Sequence, residues 1–264
     1  MTGKVWLIGA GPGDPGLITV KGLHCLRNAQ VLVYDRLVCS ELLAEVPADC
    51  EKINVGKTPN NHPIPQDEIN RILVTHALRG RNVVRLKGGD PYVFGRGGEE
   101  VETLAKSGIE FEVIPGISAS IGGLAYAGIP VTHRSHASSF HVVTGHLQQG
   151  KEPQDWEHLA QLQGTLVILM GMSQLEHICA ELVRHGRRAD TPAAAIMYAS
   201  QQRQKMAIAT LATLAEEVQH QQIKAPAMIV IGQVVQLHDL LQFVPTTFAL
   251  DEMAPVALEL EALV

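Results

Sequence analysis

The sequence predicts an α/β fold built as two successive lobes with a ligand cleft between them. Two patterns carry this. Through the first half, short β-rich apolar runs alternate with helical stripes, which is how a mostly parallel sheet with crossover helices reads. Near residue 135 a polar, aperiodic stretch interrupts the pattern, and a second set of strands and helices follows.

Residues 5–8, 31–34, 83–86 and 111–114 are apolar runs with Gly, Asp or Pro close behind, and read as buried strands. Between the second and third, residues 65–78 set Ile69, Ile72, Leu73 and Ala77 on one helical stripe. Residues 132–139 read as a linker. Beyond it, strands are expected at 140–144, 166–170, 194–197, 206–209 and 228–231, with helices at 174–184 and 211–221. The expected division is a first domain at 1–134, a second at 135–245 and a loosely held acidic tail at 246–264. No fixed-period repeat interrupts this plan, and a cleft between lobes is a usual place for a small-molecule site.

Composition narrows the function. A formal charge of −6 offers no positive field for a polyphosphate backbone, which argues against nucleic acid as a partner. The negative excess lies wholly beyond residue 134, so the first lobe is neutral and carries a basic cluster around residues 79–96. Cys25, Cys39, Cys50 and Cys179 form no C-x-x-C pair, against a disulfide framework or a cysteine zinc site. His133, His136, His141 and His146 lie close in sequence without an H-E-x-x-H spacing, and no metal is expected. The first residues leave no room for a signal peptide, and Pro and Gly break the longest uncharged stretch, 113–132. The expected location is the cytoplasm, without a membrane.

Three glycine motifs follow strands. Gly9-Ala10-Gly11-Pro12-Gly13-Asp14, with Asp35 ending the next strand, imitates a dinucleotide fingerprint. Asp14 replaces the third glycine, however, and Pro12 and Pro15 lack an N–H. The loop therefore reads equally as a ligand loop or a tight turn. In the second motif, Gly88 and Gly89 let a ligand approach the backbone, and Pro91 restricts Asp90 so that its carboxylate suits a ribose hydroxyl or an ammonium. Arg85, Lys87 and Arg96 surround that loop, which continues through Gly97-Gly98-Glu99-Glu100. In the third, Ser118 either caps a helix after Pro115-Gly116 or exposes N–H groups to a carboxylate, and the cap is the stronger reading.

Taken in order, GAGPGDPGLITVKG, VYDRLV, VVRLKGGDPYVFGRGGEE, VIPGISA, GIPVTHR, VTGH and LVILMG resemble the tetrapyrrole methylase family, over roughly residues 3–244. The resemblance implies a homodimer that binds S-adenosylmethionine in the cleft, leaves S-adenosylhomocysteine, and methylates uroporphyrinogen III at C2 and C7 to precorrin-2, for sirohaem and cobalamin. It implies cofactor contacts at Pro12, Gly88, Gly89, Asp90, Val93, Ser118, Ala119, Met170 and Ala199, a proton acceptor at Asp35 and a proton donor at Lys57. It also implies that the chain stops at precorrin-2, since no dehydrogenase and ferrochelatase domain precedes Met1.

The chemistry suits those residues. Methyl transfer from a sulfonium needs orientation rather than a metal, and the methylated carbon must then lose a proton to a base such as Asp35. The eight carboxylates of the substrate call for cations, with Arg36, Arg85, Lys87, Arg96 and Arg134 as candidates. Two departures stand out: Thr58 follows Lys57 where an arginine is usual, and Tyr198-Ala199 replaces a common Asn-Gly. The alternatives are a later precorrin methyltransferase, a nicotinamide-dependent oxidoreductase using the first glycine loop, or a silent tetrapyrrole-binding protein.

Overall fold

The computed structural model describes residues 2–56, 64–145, 155–246 and 250. Lys57, His146 and the tail beyond 250 lie outside them.

Among the described residues, ten strands form two five-stranded sheets. The first takes β1 (Val5–Gly9), β2 (Val31–Tyr34), β3 (Glu51–Asn54), β4 (Val83–Lys87) and β5 (Phe111–Ile114), in the order β3-β2-β4-β1-β5. Every pair is parallel, as the alternation with helices predicts. Helices α1 (Val20–Leu26) and α2 (Ser40–Ala44) cover one face, whereas α3 (Gln66–Leu78) and α4 (Gly97–Lys106) cover the other. The pleat sorts β4 between them: Val84 and Leu86 join the α1/α2 cluster, and Val83 joins the α3/α4 cluster. Arg85 and Lys87 share the face of Val83.

The second sheet collects β6 (Phe140–Thr144), β7 (Thr165–Leu169), β8 (Pro192–Met197), β9 (Lys205–Thr210) and β10 (Ala227–Ile231), in the order β6-β7-β10-β8-β9. It is mixed: β6 and β7 are parallel, and the remaining pairs are antiparallel. Helices α6 (Trp156–Gln161), α7 (Leu175–Arg184) and α8 (Leu214–His220) cover one face, with Ile168, Ala195, Ile229 and Ile231 beneath them. The opposite face, with Val167, Ala194, Ile196, Met228 and Val230, packs on Leu124, Ala127 and Ile129. Leu124 opens the short α5 (Leu124–Tyr126), which extends a wide π-turn, Ala119–Gly123, and Ala127 and Ile129 follow directly behind it. The first lobe's chain thus supplies part of the apolar cover of the second sheet, beside Val234 and Val235.

Most expected strands match within a residue or two. Two elements differ. The edge strand β3 carries no apolar run, because its side chains are mostly exposed and only its backbone pairs with β2. Gly97 to Glu100, read as loop, open α4. Gly97 has Pro91 O only 2.4 Å from where a Cβ would stand, so the close approach that needs glycine is made by the protein's own backbone. The linker at 132–139 holds an ordered turn, closed by paired hydrogen bonds between His133 and Ala137. After β10, α9 (His238–Leu241) returns to α5, where the His238 Nδ1–H donates to Ala127 O at 2.6 Å and Phe243 stacks edge-on against Tyr126.

Candidate active site

Three loops meet beyond the carboxyl ends of β1, β4 and β5, where open α/β sheets bind ligands. Gly11 and Gly89 exchange backbone hydrogen bonds at 3.2 and 2.7 Å, which zips the first loop to the second. A Cβ on Gly9 or Gly116 would come within 2.6 Å of backbone atoms in the facing loops. Asp90 completes the junction: Oδ1 accepts from Tyr92 N at 2.8 Å, and Oδ2 from Gly116 N at 3.0 Å. Its carboxylate first ties the second loop to the third. Gly89, at φ +69°, needs the left-handed conformation that glycine adopts without strain.

The first loop is a turn and not a phosphate cradle. Gly11 N donates to Gly89, Asp14 N donates to Ser200 Oγ at 3.0 Å, and only a single 3₁₀ turn, Pro15–Leu17, capped by Asp14 itself, follows the glycines before α1 starts at Val20. Asp14 accepts from Gly16 N at 2.8 Å and from the Tyr126 hydroxyl at 2.7 Å. Burial, then the Asp14 hydrogen bond, pushes the Tyr126 phenol up to about 12. Ser200 N donates to Gln204 Oε1 and Gln204 Nε2 to Tyr126 O, which closes a polar latch between the lobes.

Ala199 stands against this latch. Its carbonyl lies 3.0 Å from where a Gly13 Cβ would be, and its own Cβ 2.9 Å from a Gly123 Cβ. Gly122 packs similarly against Pro12. Ser118 caps the π-turn, accepting from Ser120 N at 3.3 Å. The fold therefore brings Pro12, Gly88, Gly89, Asp90, Ser118, Ala119 and Ala199 together. Met170, half exposed with φ +57°, follows β7, and Val93 lies on an exposed turn before α4.

A family model for tetrapyrrole (corrin/porphyrin) methylases matches residues 4–215. The chain belongs to the tetrapyrrole methylase family. It is 51% identical over 241 residues to an S-adenosyl-L-methionine-dependent uroporphyrinogen III methyltransferase of Methanosarcina barkeri, covering 90% of this chain and 94% of that protein. To the siroheme synthase of Acinetobacter baylyi it is 47% identical, over 91% of this chain and 53% of that one. This methylase spans about half the length of the siroheme synthases it matches. Among solved structures, uroporphyrin-III C-methyltransferase from Thermus thermophilus, complexed with S-adenosylhomocysteine, superposes with a TM-score of 0.77 at 41% identity, over 89% of this chain and 94% of that one. A cobalt-precorrin-4 methyltransferase superposes with 0.78 at 27% identity, over 88% and 95%.

In the methylase, the five candidate cations occupy two different environments. Arg36, Arg96 and Arg134 are exposed, and Arg96 pairs with Glu99 at 2.5 Å. Arg36 lies against Gly56, at the carboxyl end of β3. Arg85 and Lys87 correct the expectation of free cations facing substrate. They are buried and bonded to Glu100, and Arg85 also holds Asp35 at 2.7 Å. Burial works against the Arg85 charge, but Asp35 and Glu100 outweigh it and hold its pKa above the ordinary value. Burial, then Arg85, pushes the Lys87 ammonium down. Glu100 escaped the motif reading, although helical spacing puts Gly97, Glu100, Val101 and Leu104 on one buried stripe. A carboxylate in such a stripe signals a hidden partner. Among the described residues no group of three or more His, Cys, Asp or Glu could hold a metal, and no helix is long and apolar enough to cross a membrane.

Proposed function

We propose that this methylase transfers methyl groups from S-adenosylmethionine to C2 and C7 of uroporphyrinogen III and releases precorrin-2, toward sirohaem and cobalamin. The observation that carries the reading is the 51% identity, along nearly the whole of both chains, to an enzyme named for that donor and substrate. Fold alone does not choose among tetrapyrroles, because the cobalt-precorrin-4 enzyme superposes equally well; its 27% identity against 41% does. The same reading takes the enzyme as a cytoplasmic homodimer.

The residues present fit an adenosyl sulfonium. A Cβ on Gly89 would meet nothing nearer than Ser118 Cα and Ala119 N, both at 3.9 Å, so the missing side chain leaves a cradle lined by small groups. Ser118 and Ala119 line it, Gly88 and Asp90 flank Gly89 in the chain, and Pro12, Val93, Met170 and Ala199 complete the proposed contacts. The donor supplies an electrophilic methyl, whose bond to sulfur breaks as the bond to carbon forms. The protein's part is orientation, worth several kcal/mol of barrier. The methylated ring is cationic until it releases a proton, and Asp35, at the carboxyl end of β2, accepts it. Lys57 is assigned the return of a proton or a hold on a substrate carboxylate. Arg36, Arg96 and Arg134 meet the remaining carboxylates as bidentate partners.

Calorimetry with S-adenosylhomocysteine, followed by mass spectrometry of uroporphyrinogen III incubated with S-adenosylmethionine, tests this. The expected results are a Kd of roughly 1–10 μM and a product carrying two added methyl groups. Absence of binding below about 1 mM, or recovery of unmethylated substrate, overturns it.

A further inference from the structure

Beneath the loop junction, four charged side chains alternate in sign: Asp35, Arg85, Glu100 and Lys87. Three are sealed from solvent, at 2% for Arg85, 0% for Glu100 and 3% for Lys87, while the Asp35 side chain keeps 31% exposure. Arg85 spends its fork in both directions. Nη2 donates to Asp35 Oδ1 at 2.7 Å, Nε donates to Glu100 Oε1 at 3.0 Å, and Nη1 turns to the carbonyls of Val33 and Leu86. Glu100 Oε1 also accepts from Lys87 Nζ at 3.0 Å and Gln66 Nε2 at 3.1 Å, yet its Oε2 is buried with no partner. All three donors converge on the oxygen that anchors Arg85.

An arginine does not give up its proton in a protein, so this row cannot pass a proton inward. It can only hold charge and direction. Its outer end is Asp35, whose Oδ1 is gripped while Oδ2 has no partner among the described residues. We propose that Arg85, Glu100 and Lys87 are positioning residues that aim Asp35 Oδ2 at the proton released by the methylated substrate. Arg85 sets the carboxylate, Glu100 sets Arg85, and Lys87 balances Glu100. This rests on the reading of Asp35 as base, and the two fail separately.

Asp35→Asn is measured first, and loss of turnover is expected. If it retains the wild-type kcat, the reading of Asp35 falls and takes this inference with it. The deciding variant is the double Lys87→Met/Glu100→Gln, which removes one charge of each sign and so preserves the buried balance and the fold. Its kcat should fall roughly 10- to 100-fold, with KM for uroporphyrinogen III and Kd for S-adenosylhomocysteine within about twofold of wild type. Arg85→Lys keeps the charge but cannot reach both carboxylates, and should show the same split. Unchanged kcat in the double variant beside an inactive Asp35→Asn overturns the inference. So does a loss of S-adenosylhomocysteine affinity parallel to the loss of kcat, which would mark a merely structural role.

Discussion

The central strands of the two sheets have similar surroundings and opposite chemistry. β4 lies between β2 and β1 under helices on both faces, and it buries Arg85 and Lys87. β10 lies between β7 and β8, and it buries Met228, Ile229, Val230 and Ile231. Desolvating an ion costs several kcal/mol even after relaxation, whereas each buried aliphatic side chain stabilises by about 1.5–3 kcal/mol. The first sheet therefore carries charge where stability alone would favour a hydrophobe, and that charge points to the partly exposed carboxylate of Asp35. The second sheet shows what a strand in this position looks like when packing is its main task.

The largest test of that contrast is a pair of substitutions. Glu100→Gln alone leaves Arg85 and Lys87 facing a single carboxylate, and should lower unfolding free energy in urea by about 3–5 kcal/mol. Ile229→Val, in the second centre, should cost about 1 kcal/mol. Equal losses would erase the distinction.

Next comes the latch joining the lobes. Because the folded Tyr126 phenol sits at about 12 against an unfolded value of 10.0, the stability it contributes is fully present below pH 10. It is lost as pH rises from there toward 12. Tyr126→Phe should flatten the alkaline fall in stability over that window, and a slope identical to wild type would remove Tyr126 from the latch. The smallest effect belongs to the surface. Lys106→Ala breaks an exposed pair with Glu102 at 2.7 Å, and thermal melting should register no more than about 0.5 kcal/mol.

Much of the site was legible in the residues. Glycines after strands marked the three loops, since a chain that turns sharply at a sheet's edge needs them, and Asp35 stood at the end of an apolar run. Other features were misread for a common reason. Gly9 and Gly116 make room for other loops, and Asp90 holds Gly116, because a glycine pattern records close approach without naming what approaches. Gly97 and Glu100 looked like loop, since a helix opening on two glycines carries no cap signal. Tyr126, Ser200 and Gln204 carried no local signal, as the bonds that make the latch, Asp14 to Ser200 and Gln204 to Tyr126, cross between the lobes.

By itself the sequence determined the two-lobed α/β order, the parallel first sheet and the family, because period, turn chemistry and motif spacing are local properties of the chain. Only the tertiary structure decided that Arg85 and Lys87 face inward, that Glu100 binds them, and that the first glycine loop is braced from the second lobe. Each depends on which face of a strand meets which helix. That pairing joins residues far apart in the chain, and burial, not residue type, sets what their charges can do.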